Sequence, residues 1–118
     1  MNKILKLSIL VFLLDSFFLY FIKDLFNNQI FDIQNSNLQI NFIGAIFSYF
    51  FIILCLYWFI IKDNKPILDA FILGICIYGV YEYTNYALFK NWKFKTTVID
   101  TLWGGILFSL STFLYYKF

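Results

Sequence analysis

Four stretches of almost unbroken apolar residues, 4–22, 42–61, 67–88 and 98–116, alternate along this chain with short polar connections. Each is close to the roughly 20 residues that an α-helix needs to cross hydrocarbon. The pattern predicts an all-α fold: an integral membrane bundle of four transmembrane helices, running up-down-up-down as a single domain over 1–118. Lys62, Asp63, Asn64, Lys65 and Pro66 form a tight turn, and a proline there can open the third helix without wasting a backbone donor. Lys90, Asn91, Trp92, Lys93, Phe94 and Lys95 mix ammonium groups with aromatic rings, as expected at the headgroup level. Both short connections make their flanking helices antiparallel neighbours.

The segment 27–41 is rich in Asn and Gln with scattered Ile, Phe and Leu, and is expected to lie along the interface. The first apolar run reads as a retained span, because it is too long for a secretory signal, Asp15 interrupts it, and Lys23 and Asp24 follow instead of a small-residue cleavage site. Its 14 Leu, Ile, Phe and Val residues supply roughly −4 to −8 kcal/mol of insertion free energy, against about 3 kcal/mol opposed by Asp15. In the second run only Ser48, Tyr49, Cys55, Tyr57 and Trp58 carry polar atoms, so it reads as a supporting helix.

Composition sharpens this picture. The chain is 62% hydrophobic and 14% charged, with a mean hydropathy of +0.76, far from the balance of a soluble domain. Without His, the commonest metal ligand is missing, and no metal or cofactor is expected. All nine basic residues are Lys, placed singly or in pairs near the ends of apolar runs, which gives no support to nucleic-acid binding. Cys55 and Cys76 lie inside apolar runs and read as buried free thiols. Lys3, Lys6, Lys62, Lys65 and Lys117 fall on the side of the termini, and Lys23, Lys90, Lys93 and Lys95 on the other, which places both termini in the cytoplasm.

Three acids inside the spans demand an account, because a carboxylate in hydrocarbon is costly and such residues face a bundle interior, bind one another, or carry protons and ligands. At about 1.5 Å per residue, Asp15, Glu82 and Asp100 fall in the same leaflet at depths within about one helical turn of each other. Helical spacing gives them company: Tyr78, Asn85 and Tyr86 share a face with Glu82, and Trp103 and Gly104 share one with Asp100. Trp103 is placed to wall a cavity, whereas Trp92 reads as an interfacial anchor. Gly104 and Gly105, with Gly74 and Gly79, suit close helix approach. Asp69, near the opposite interface, reads as a first-turn acid favoured by the helix dipole. Low dielectric and mutual repulsion favour a proton on at least one acid of such a group. The alternative is that the acids bond to Asn85, Thr84, tyrosines and each other to hold the helices in register.

Glu82, Thr84 and Asn85, then Lys90 and Trp92, then Val98, Asp100, Trp103 and Gly104 resemble, in order, a signature of the uncharacterised small membrane proteins grouped as domain of unknown function 2177. The resemblance implies that these positions belong to the family signature, with Asp15 similar to an acid in its first span. Glu82 stands where the family usually has Asp, which changes reach by one methylene and keeps the charge. No activity is implied.

Three function classes follow. The leading one is a bundle whose pocket, built on Asp15, Glu82 and Asp100 with Asn85, Thr84, Trp103 and Lys90, binds or moves a small molecule, lipid or proton. The second is a noncatalytic membrane assembly factor or subunit, with a homo-oligomer or another membrane protein as partner. The third is a lipid-modifying enzyme using Glu82 and Asp100 as acid and base, Asn85 to orient substrate and Lys90 to meet a phosphate.

Overall fold

A computed structural model describes residues 2–36 and 40–118. Its elements are α1 (Lys3–Gln34), α2 (Phe42–Leu56), α3 (Ile67–Leu88) and α4 (Phe94–Lys117), with no strand among the described residues. All four helices are long and apolar enough to cross a membrane, α2 by running on through Tyr57–Ile61. That last stretch is a widened turn, in which Lys62 N–H bonds the Tyr57 carbonyl five residues back at 2.9 Å.

Local chemistry sets the helix ends. Asn2 caps α1, its Oδ1 accepting from Ile4 N at 2.7 Å, and Asn35 ends it in the left-handed conformation that Asn tolerates. Asn41 caps α2 through Gly44 N at 3.2 Å. Pro66 stands one residue before α3, its carbonyl accepting from Asp69 N at 3.1 Å. Asp69 lies in the first turn of α3, as expected from the dipole.

Two boundaries differ from the sequence reading. The helix of the first span does not stop near residue 22 but continues to Gln34, so the start of the segment expected to lie along the interface is a helical extension. Residues 37–39 of that segment lie outside the described residues. At about 1.5 Å per residue, 32 residues run to roughly 48 Å, well past a hydrocarbon core of about 30 Å. The fourth helix starts at Phe94 rather than 98, because Gln29 on the α1 extension satisfies the free backbone N–H of Lys93 at 2.7 Å.

Packing is uneven. The α3–α4 pair carries most of the close interhelical contact, α1 lies along α4, and α2 touches α1 lightly and α3 hardly at all. A Cβ added to Gly74 would fall on the Gly104 carbonyl, and one on Gly104 would fall on Tyr78, so both glycines are required by the close approach of these two backbones. Gly79 would meet only ordinary contact. The apolar core, Leu7, Val11, Leu56, Ile60, Ile61, Ala70, Leu107 and Phe108, sits toward the end of the bundle that holds the termini. It grips the far end of α2, whereas Phe42, Ile43, Ile46 and Phe47 at its near end are all more than half exposed. Cys55 is half-buried and Cys76 exposed, so the latter is not the interior thiol expected. Apolar side chains suit lipid and protein interior alike, so hydropathy alone did not tell which face Cys76 would take.

Candidate functional site

Asp15 lies midway along α1, only 8% exposed. Its two oxygens are served separately: Oδ1 accepts from Trp103 Nε1 on α4 at 2.9 Å, and Oδ2 accepts from the Tyr49 hydroxyl on α2. Phe18, one turn along α1, stacks on the Trp103 indole at 4.4 Å with the planes 4° apart, which fixes the direction of that N–H. The second span is therefore more than support, because one of its few polar atoms reaches an intramembrane acid.

Glu82 and Asp100 meet across the α3–α4 interface. The glycine contact determines their proximity: Tyr78, one turn before Glu82, rests on Gly104, one turn after Asp100. The two carboxyl groups lie within hydrogen-bonding reach of each other. Glu82 is 0% exposed and Asp100 is 7% exposed. Glu82 Oε1 accepts from Trp92 Nε1 at 3.0 Å, while Oε2 is buried with no N–H or O–H donor.

Trp92 is a correction to the expected interfacial anchor. It is 6% exposed and turned inward onto Glu82, with the α1 extension above it. Besides Gln29 on Lys93, that extension takes a bond from Asn91 Nδ2 to the Asp32 carbonyl at 3.2 Å, which clamps the α3–α4 connection over the acid pair. Gln29 is fully buried, and its Nε2 has no partner.

Asp15 and Asp100 line one cavity of about 320 Å³, together with Phe18 from α1, Ser48 and Tyr49 from α2, and Tyr78 and Tyr81 from α3. Ser48, Ile52, Tyr78 and Tyr81 also line a mainly apolar groove of about 460 Å³ between α2 and α3. The cavity and the groove thus share these four residues along their walls.

The other sequence candidates divide. Trp103 is bound to Asp15. Asn85 is half-buried and lies within hydrogen-bonding reach of the Tyr81 hydroxyl, one turn from Glu82. Thr84 and Lys90 are exposed and line no part of the cavity. Tyr49, Tyr81, Trp92 and Gln29 were missed as site residues. The signals available were a lone Ser-Tyr pair in the most apolar run and the place of Trp92 in the resembled signature. Among the described residues no group of three or more His, Cys, Asp or Glu is disposed to hold a metal ion.

A family model described as a predicted membrane protein, domain of unknown function 2177, matches residues 1–116. No curated protein and no solved structure matches the chain.

Proposed function

We propose, for a chain that belongs to the membrane-protein family of domain of unknown function 2177, that the acid-lined cavity binds or moves a small molecule, lipid or proton, with Glu82 and Asp100 as the proton-carrying pair. The observation that carries this reading is the pairing itself. Glu82, fully enclosed, lies beside Asp100, and Asp100 lines a cavity that shares Ser48, Ile52, Tyr78 and Tyr81 with an apolar groove. In this reading the pair exchanges a proton through the cavity that Asp100 lines. Asp15 plays a different part: with a separate donor on each oxygen it is held as an acceptor, and it fixes Tyr49 and Trp103 around the opening.

The groove adds a ligand preference. A molecule with an apolar tail and a hydrogen-bond-donating head matches an apolar channel ending at acids and tyrosines. The lipid-modifying alternative has less support, because Lys90, its expected phosphate contact, is exposed and lines no part of the cavity.

The test is proton uptake by vesicles holding the purified protein and an internal pH-sensitive dye. Wild-type uptake should fall by about tenfold or more in Glu82→Gln and Asp100→Asn at matched folded yield, the effect expected of removing a positioned proton-transfer group. Uptake unchanged by Glu82→Gln would sink the proposal. Variants that lose folded yield, from a wild type that takes up no protons, would point instead to the noncatalytic subunit.

A further inference from the structure

The end of the bundle opposite the acids holds a second recess that the reading above does not use. It encloses about 180 Å³ and is lined by Lys3 from α1, Tyr57, Ile61, Lys62 and Asn64 from the end of α2 and its turn, and Tyr115 from α4. We propose that this recess binds the phosphate of an anionic headgroup, a phosphate monoester or diester, at the membrane surface on the side of the termini.

Charge is the first argument. Lys3 and Lys62 come from different elements and converge on one small recess, and no ion pair joins either to a carboxylate among the described residues. Lys6, one turn along α1, adds positive charge nearby while its ammonium is held by the Tyr115 carbonyl at 2.9 Å and lies over the Tyr115 ring. Two acids are available at this end. Asp63 is exposed in the turn, and Asp69 lines a separate recess with Phe59, Ile60 and Cys76. The cations of the recess therefore lack an internal counter-ion.

Rigidity is the second argument. The turn carrying Lys62 and Asn64 is held by Asn64 N to the Ile61 carbonyl at 3.1 Å and Lys65 N to the Ile60 carbonyl at 2.9 Å. Tyr116 ties it to α4 through its hydroxyl on the Lys65 carbonyl at 2.8 Å. Asn64 adopts φ 52°, so its position reflects a formed turn and not a loose loop. Lys62 lies over the Trp58 ring at 3.6 Å, which leaves ammonium donors to turn toward an anion.

Depth and size are the third. Trp58, Tyr57, Tyr115 and Tyr116 gather around the recess, and aromatic side chains of this kind mark the headgroup level. A recess of about 180 Å³ has room for a phosphate group with some of its hydration water. A basic recess between helices at this level is suited to an anionic lipid.

The experiment uses the full-length protein in neutral detergent, with the thermal midpoint followed as short-chain phosphatidylglycerol, short-chain phosphatidylcholine or inorganic phosphate is added. A saturable rise with phosphatidylglycerol alone supports a lipid phosphate; a matching rise with inorganic phosphate supports the same site filled from solution. Half-saturation should move up about tenfold or more in Lys3→Gln/Lys62→Gln and stay in place in Lys90→Gln/Lys93→Gln, which alters the other face. Should the first double variant fold poorly, wild-type affinity must still weaken several-fold from low to high salt. An equal rise with phosphatidylcholine, insensitivity to salt, or an unchanged half-saturation in folded Lys3→Gln/Lys62→Gln would overturn the proposal.

Discussion

Asp15 shows how a single buried acid is made tolerable: each oxygen has its own donor, from a tyrosine on one neighbouring helix and a tryptophan on another. Replacing it by Asn keeps the size but leaves one acceptor for two donors and turns an amide N–H₂ toward one of them. Asp15→Asn is therefore expected to lower stability by about 1–3 kcal/mol, the range for a buried polar group left without its partner. Tyr49→Phe leaves Asp15 Oδ2 without its donor while the Trp103 bond stays, so its cost should fall in the same range of about 1–3 kcal/mol. Reversible unfolding in mixed micelles checks both, and a Tyr49→Phe variant as stable as wild type would contradict the two-donor account. Glu82 is served less fully, with one indole donor on Oε1 and none on Oε2.

At the scale of the elements, α3 and α4 form the rigid half of the molecule and α2 the loose one. Gly74 and Gly104 let the first pair come close enough for Glu82 and Asp100 to meet, so the acid pair depends on residues that have no chemistry of their own. Gly74→Ala and Gly104→Ala should each cost about 1–3 kcal/mol through forced separation of two backbones. Gly79→Ala, facing only Thr101 Cγ2 at 3.6 Å, should be neutral or gain a little from helix propensity. Thermal unfolding of the three variants checks the order, and an equal effect at all three would mean that the close approach is not what these glycines provide. The α1 extension belongs to this scale as well. Its helix persists because Gln29 and the Asp32 carbonyl take up polar groups from the α3–α4 connection, which a segment lying flat on the interface would not reach.

For the molecule as a whole, the proposed reading rests on the separation of α2 from α3, where the acid cavity and the groove share residues. Ser48 is exposed and lines both the acid cavity and the groove, so it sits at their junction. Ser48→Phe should close that junction without touching the core. Folding stability is expected to change by no more than about 0.5 kcal/mol, as for other exposed positions. Proton uptake in vesicles should drop several-fold; full uptake at normal yield would show that the groove is not the way in.

The four spans and their antiparallel order were legible in the sequence, because hydropathy, length and connection are properties of a chain in one dimension and lipid enforces them strictly. Which way each helix is rotated was not. Tertiary structure alone turned Trp92 from the interface onto Glu82, brought Tyr49 to Asp15, left Thr84 and Lys90 outside, and carried α1 on to cap α4. The reason is that lipid and protein interior are about equally apolar, so a membrane helix carries little sequence contrast between its outward and inward faces, and only the contacts between helices distinguish them.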